Sequence, residues 1–135
     1  MGRLDYANDL NLMAAVKSDS HSLSQDPPKI LMVDDDFFNL EVMRGTLMMH
    51  NLDSDAVSNG YQALDLIKKR IHVASTNKDI SMYKLIFIDY SMPVMDGVEL
   101  TRQIYNIFNN DKRHEMPQII CLTAYSDQRY KDSAL

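Results

Sequence analysis

Short apolar runs alternate with longer amphipathic segments from residue 29 onward. Three apolar runs, at residues 30–33, 85–88 and 119–122, have the length and the β-branched content of strands that are buried on both faces. A weaker strand fits residues 53–57, which precede an Asn59-Gly60 turn signal. The pattern therefore predicts four short strands.

Three segments between these strands carry apolar residues every three or four positions, which is the spacing of one helix face. They follow Asn39, Gly60 and Gly97. Their apolar positions are Leu40, Met43 and Leu47, then Leu64, Ile67 and Ile71, then Leu100, Ile104 and Ile107. We predict a fourth helix from Ser126-Asp127 onward and a polar connection over residues 72–83.

Alternating strands and helices predict an α/β fold, in which a parallel sheet carries helices on both faces. Residues 1–28 differ, because they are rich in Ser, Asp and Asn and end in Asp26-Pro27-Pro28. The two prolines fix φ and remove two backbone donors. We therefore predict an N-terminal tail or linker over residues 1–28, with a short helix conceivable at residues 9–17, and one domain over residues 29–135.

Composition and charge exclude several classes of function. A chain of 135 residues, with 45% hydrophobic and 24% charged residues, is typical of one globular domain. The net charge of −5 argues against a nucleic-acid-binding role. We find neither an apolar stretch that could span a membrane nor the apolar core of a secretory signal. We predict that the single cysteine, Cys121, is a small buried residue, and we expect a reducing, cytoplasmic location.

Polar residues follow the predicted strands where a parallel sheet forms its binding crevice. The acidic run Asp34–Asp36 follows the first strand, Asp89 and Ser91 follow the third, and Thr123-Ala124 follows the fourth. Carboxylates that converge repel one another unless a cation lies between them, and Mg²⁺ prefers carboxylate, water and phosphate oxygens. The run Asp34–Asp36 taken alone is explained equally well as a turn or a helix cap, and Asp89 taken alone is weak evidence. The interpretation therefore rests on their combination at the ends of successive strands.

Four segments resemble the receiver domains of response regulators, in particular those of hybrid histidine kinases. They are the first strand with its acidic residues at 30–36, Phe37-Phe38-Asn39-Leu40, the segment Leu-Ile-Phe-Ile-Asp-Tyr-Ser-Met-Pro-Val-Met-Asp-Gly at 85–97, and Ile-Ile-Cys-Leu-Thr-Ala at 119–124. The third segment is the most specific. The resemblance implies a flavodoxin-like, doubly wound parallel sheet, whose strand order 2-1-3-4-5 is known for such folds.

The resemblance also implies a role for each matching residue. Asp89 would accept a phosphoryl group from a phosphohistidine on a histidine kinase or a histidine phosphotransfer protein. Asp34, Asp35, Asp89 and the backbone carbonyl of Ser91 would hold Mg²⁺. Thr123 would be the switch residue that contacts the phosphoryl group, and the small Ala124 would leave space for it. Asp36 would cap the first helix instead.

The same resemblance implies a fifth strand, a lysine at its end and a fifth helix. The sequence ends at Leu135, so we expect an incomplete receiver that stops after its fourth strand and the start of its fourth helix. Such a module is a signalling switch rather than a metabolic enzyme. Its parent could be a hybrid histidine kinase or a free-standing regulator.

Two other functions fit parts of the sequence. A receiver-like domain that binds a partner without phosphorylation would explain why the family's lysine has no counterpart in this sequence. It would not explain why the acidic residues and Thr123 are present. A metal-dependent phosphatase could use Asp89 as its nucleophile. Such enzymes commonly carry a general acid two residues later, where this chain has Ser91, so we rank this alternative last.

Overall fold

The computed structural model describes residues 26–122, which form one parallel sheet and three helices. The strands are β1 (Ile30–Val33), β2 (Asp55–Val57), β3 (Leu85–Asp89) and β4 (Gln118–Leu122). The helices are α1 (Phe37–Met49), α2 (Gly60–Thr76) and α3 (Gly97–Asn110). The predicted fourth helix and the short helix at residues 9–17 lie outside the described residues.

All strands pair in parallel, in the order β2-β1-β3-β4. This order confirms the predicted doubly wound sheet as far as the fourth strand. It places β1 and β3 side by side in the middle, with Val33 level with Ile88. The chain therefore brings the ends of two central strands together, although more than fifty residues separate them in sequence.

Alternate residues of the central strands face opposite layers of the core. Leu31 and Val33 pack with α2 and α3, whereas Ile30 and Met32 pack with α1. Because both sides of β1 are covered, all four of its residues are buried. Helices on both faces were predicted from the alternating pattern, and the structure confirms them.

Asp or Asn side chains cap the three helices. Asp36, Asn59 and Asp96 each accept a backbone N–H from the first turn of the helix that follows, at 2.8–2.9 Å. Such caps satisfy donors that have no partner inside the helix. The predicted capping role of Asp36 is thereby confirmed, and the caps fix where each helix leaves the binding edge of the sheet.

Two details differ from the sequence-based expectations. The helix α2 continues to Thr76, so the connection before β3 is shorter than the predicted 72–83. Its last two residues, Ser75 and Thr76, donate side-chain hydrogen bonds back to carbonyls of the preceding turn. Cys121 is exposed rather than buried, because β4 is the edge strand of the described sheet and pairs on one side only.

A buried polar cluster lies at the opposite end of the sheet from the acidic residues. The Arg70 guanidinium donates to the Asp55 carboxylate at 3.1 Å and to the Pro28 carbonyl at 2.7 Å. It also stacks 4.0 Å from the ring centre of Tyr83, whose hydroxyl donates to the same carboxylate at 2.5 Å. The cluster thus ties residues just before β1 to β2 and α2. Within residues 26–122, no helix is long and apolar enough to cross a membrane.

Candidate functional site

Asp34 and Asp89 come together because their strands are neighbours in register. Asp34 directly follows β1, and Asp89 is the last residue of β3. Only 7% of Asp34 and 9% of Asp89 remain exposed to solvent. The fold therefore holds two carboxylates next to each other with little water around them.

Asp35 completes a group of three carboxylates. One carboxylate oxygen from each of Asp34, Asp35 and Asp89 lies within 4.8 Å of the other two. Asp35 is exposed, so the group is open on one side. Three hard oxygen donors that leave space for water and a further ligand are the donor set that Mg²⁺ prefers. The residues present therefore fit this ion.

Backbone and side-chain donors orient Asp34. Its Oδ1 accepts the N–H of Asp36 at 2.8 Å, and its Oδ2 accepts an amide N–H of Asn39 at 3.3 Å. Each oxygen keeps lone pairs that can bind a cation. The sequence analysis used Asn39 only to mark a helix start. Its position in the first turn of a helix that Asp36 caps was the available signal for this contact.

The pKa values of both buried carboxyl groups reflect their surroundings. Burial, together with the charge of the neighbouring Asp34 carboxylate, raises the pKa of Asp89 to about 6. Burial also raises the pKa of Asp34 above its usual value, although the hydrogen bonds from Asp36 and Asn39 oppose this effect. Negative charge is thus poorly compensated by the described residues, which favours binding of a cation.

Ser91 lies beside Asp89, with its backbone N–H 3.3 Å from Asp89 Oδ1. This contact places the loop after β3 against the acidic group. The use of the Ser91 carbonyl as a metal ligand stays a prediction. Thr123 and Ala124 lie outside the described residues, but the residue before them, Leu122, pairs with Asp89 and accepts the N–H of Tyr90 at 2.9 Å.

The loop between β3 and α3 contains a strained turn. Val94 has a φ of 70°, and the N–H of Met95 donates to the carbonyl of Pro93 at 2.8 Å, which closes a three-residue turn. A β-branched residue in this region of φ costs about 1–3 kcal/mol and persists only where neighbours hold it. Met92 and Met95 are buried on either side of Val94, whose own side chain is 90% exposed.

Gly97 allows α3 to begin directly against the backbone of the acidic residue. A Cβ atom at this position would lie 2.7 Å from the carbonyl oxygen of Asp89. The N–H of Gly97 donates to the carbonyl of Tyr90 at 3.0 Å. Only glycine permits this approach, so the start of α3 is fixed relative to Asp89.

Comparisons with known proteins agree with the geometry. The family model described as the response regulator receiver domain matches residues 30–135. The hybrid signal transduction histidine kinase B of Dictyostelium discoideum is 31% identical over 114 residues, covering 79% of this chain and 5% of that protein. Histidine kinase 5 of Arabidopsis thaliana is 30% identical over 106 residues, covering 76% of this chain and 10% of that protein. The chain thus spans a small part of the length of these relatives.

Solved structures of receiver domains are also similar. The receiver domain of the histidine kinase CKI1 from Arabidopsis thaliana, crystallised with Mg²⁺ and BeF₃⁻, is 26% identical with a TM-score of 0.65, covering 77% of this chain and 70% of that one. The receiver domain of Saccharomyces cerevisiae Ssk1, crystallised with the histidine phosphotransfer protein Ypd1, is 25% identical with a TM-score of 0.59, covering 74% of this chain and 66% of that one.

Proposed function

Since the chain belongs to the response regulator receiver domain family, we propose that Asp89 accepts a phosphoryl group from a phosphohistidine in an Mg²⁺-dependent reaction. The observation that carries this proposal is the group of three carboxylates around Asp89, whose oxygens lie within 4.8 Å of one another. The Asp89 carboxyl group is buried beside a second carboxylate, and its pKa of about 6 leaves it mostly deprotonated at neutral pH.

The chemistry is a transfer between two nucleophiles. A carboxylate oxygen of Asp89 forms a bond to phosphorus while the bond between phosphorus and the histidine nitrogen breaks. The histidine ring keeps the electron pair of that bond and takes up a proton. The buried site holds the Asp89 oxygen in place for the attack and limits the access of water to the acyl phosphate.

Asp34, Asp35, Asp89 and the carbonyl of Ser91 would hold the metal ion. Mg²⁺ bound there would offset the negative charge of the phosphoryl oxygens and of the carboxylates. Asn39 and the N–H of Asp36 would keep the Asp34 carboxylate oriented toward the ion. In the proposed role of Thr123, its hydroxyl donates to a phosphoryl oxygen, and Ala124 leaves room for the group.

The outer face of α1 would bind the phosphohistidine partner. Phe38, Val42 and Met49 lie on one face of the helix, and their side chains are 71%, 52% and 83% exposed. We call these three residues the outer α1 stripe. It begins next to Asp36, so a helix that packs on it would lie beside the acidic site. The receiver of Ssk1 binds Ypd1, which supports a histidine phosphotransfer protein or a histidine kinase as the partner.

The module would act as a signalling switch in the cytoplasm. The two kinase relatives support a hybrid histidine kinase as the parent protein, in which the enzymatic activity belongs to another domain. Because the net charge is −5, we assign no nucleic-acid-binding role to this domain. We assign it no membrane-binding role either.

Phosphorylation from a small donor tests the proposal. The chain is incubated with acetyl phosphate and Mg²⁺, and its intact mass is compared with that of Asp89→Asn and of a sample with EDTA. We expect the mass of one phosphoryl group only in the parent chain with Mg²⁺. If the folded parent gains no mass, the domain is instead a binding module that is not phosphorylated.

A further inference from the structure

The strained loop after β3 is fixed to the rest of the fold by Met95. Only 4% of Met95 is exposed, whereas the preceding Val94 is 90% exposed and has a φ of 70°. The neighbouring Met92 is 8% exposed. Because Val94 would otherwise relax toward an ordinary φ, the buried methionines must hold the loop in its observed path.

Met95 packs against Gly60, the first residue of α2. A Cβ atom built on Gly60 would lie 2.5 Å from Sδ, 3.1 Å from Cγ and 3.3 Å from Cβ of Met95. Three successive side-chain atoms thus run across the position that a larger residue would fill. Gly60 has no positive φ, so its backbone conformation does not itself require glycine. The requirement for a small residue comes from Met95.

The same loop sets the position of the acidic site. Met95 lies between Ser91, whose N–H donates to Asp89 Oδ1, and Gly97, whose N–H donates to the Tyr90 carbonyl. A displacement of Met95 would therefore move the backbone that carries the Ser91 carbonyl.

We propose that Gly60 is a positioning residue for the phosphoacceptor site, which acts by receiving Met95 and thereby fixing the Ser91 carbonyl. This inference rests on the proposed function, because it takes that carbonyl to be a ligand of Mg²⁺. Gly60 touches neither the ion nor the phosphoryl group. It links the start of α2 to the site through one packed side chain.

The test compares two glycine substitutions in the full chain. Gly60→Ala should weaken binding of Mg²⁺ by about 10-fold, as is typical when a residue that supports a ligand is lost. Gly45→Ala is the matched control, because a Cβ on Gly45 meets no atom within 4 Å. Calorimetric titration with MgCl₂ gives the affinity, and amide hydrogen exchange over residues 90–97 reports on the loop without any metal.

A second variant shows whether Met95 mediates the effect. Met95→Ala removes the packed side chain and should also weaken Mg²⁺ binding, and combining it with Gly60→Ala should weaken binding no further. It also provides the test if Gly60→Ala does not fold. Independent, additive effects would overturn the proposal. The proposal would also be overturned if folded Gly60→Ala had the same Mg²⁺ affinity, and the same amide hydrogen exchange over residues 90–97, as Gly45→Ala.

These readouts remain separate from phosphorylation. If the parent binds Mg²⁺ but gains no phosphoryl group, the proposed function fails while the role of Gly60 can still be judged from affinity and exchange. If the parent is phosphorylated and Gly60→Ala binds Mg²⁺ normally, only the positioning role fails.

Discussion

Asp34 and Asp89 lie level with each other at the carboxyl ends of neighbouring strands, because the parallel register pairs Val33 with Ile88 one residue earlier. Both carboxyl groups are largely buried, and the pKa of each is raised. The fold therefore maintains two charges whose proximity is unfavourable at neutral pH. We interpret this cost as the feature that makes the site bind a cation.

The first prediction concerns pH in the absence of metal. Because the pKa of Asp89 rises from 3.8 to about 6 on folding, the folded chain binds more protons than the unfolded chain between these values. Stability in EDTA should therefore fall as pH rises from about 4 to about 6. The shift of about 2 units corresponds to about 3 kcal/mol, but water at the open side screens the charges, so we expect about 1 kcal/mol.

Urea denaturation at a series of pH values measures this effect. Asp89→Asn should be more stable than the parent chain at pH 7.5 in EDTA and equally stable near pH 4. The addition of MgCl₂ should stabilise the parent at pH 7.5 and have little effect on the variant. Equal stability of parent and variant at pH 7.5 in EDTA would show that the two carboxylates do not repel each other as we infer.

The second prediction concerns the buried cluster at the far end of the sheet. Arg70 is 9% exposed and its loss would leave Asp55 without its cation, so Arg70→Met should cost about 3 kcal/mol of unfolding free energy. Lys69→Met is the control, because the Lys69–Asp65 pair is 70% and 64% exposed and such pairs contribute about 0.5 kcal/mol or less. Denaturant unfolding gives both values. Equal losses of unfolding free energy in the two variants would contradict the structural role of the cluster.

The sequence could predict the acidic site but not this cluster, for a physical reason. Asp34 and Asp89 each follow an apolar strand, and parallel strands end at the same edge of a sheet, so local patterns suffice to bring them together. Asp55 lies 15 residues from Arg70 and 28 residues from Tyr83 in sequence, so no local pattern links the three. Their contacts depend on the packing of α2 against the sheet.

Other structural features that the sequence did not predict have the same physical cause. The apolar run around Cys121 correctly predicted a strand, but not that β4 would be the edge of the described sheet. Likewise, the sequence predicts a loop between the strand at residues 85–88 and the helix after Gly97. It does not show that Val94 has a positive φ or that Met95 packs on Gly60. Strain and close approach depend on neighbours that are distant in sequence. The roles assigned to Ser91, Thr123 and the other site residues stay predictions until they are measured.

The third prediction concerns the strain at Val94. Glycine adopts a φ of 70° without steric cost, and the exposed Val94 side chain buries little surface, so Val94→Gly should stabilise the domain by up to about 1 kcal/mol. Val42→Gly, at an exposed position within α1, should instead destabilise it by a few tenths of a kcal/mol or more. Thermal melts of both variants in EDTA measure their stability relative to the parent chain. Destabilisation by both would argue against strain in the turn.

The fourth prediction separates partner binding from chemistry. Phe38→Ser together with Val42→Ser removes most of the outer α1 stripe near the site, so transfer from a phosphorylated histidine phosphotransfer protein should slow by at least about 10-fold, as is typical for the loss of central interface anchors. Phosphorylation by acetyl phosphate should not change. Tyr105→Ser is the control, because it replaces an exposed aromatic side chain by a polar one on α3, away from the outer α1 stripe. Equal slowing with both donors would show that the stripe supports the site rather than the partner.

The identity of the phosphorylated residue tests the central claim most directly. The chain is treated with acetyl phosphate and Mg²⁺, reduced with borohydride, digested, and sequenced by mass spectrometry. Borohydride converts an aspartyl phosphate to homoserine and leaves free aspartate unchanged. We predict homoserine at position 89 and unmodified aspartate at positions 34 and 35. Homoserine at either of those positions, or none in folded protein that has bound Mg²⁺, would contradict the assignment of Asp89 as the phosphoacceptor.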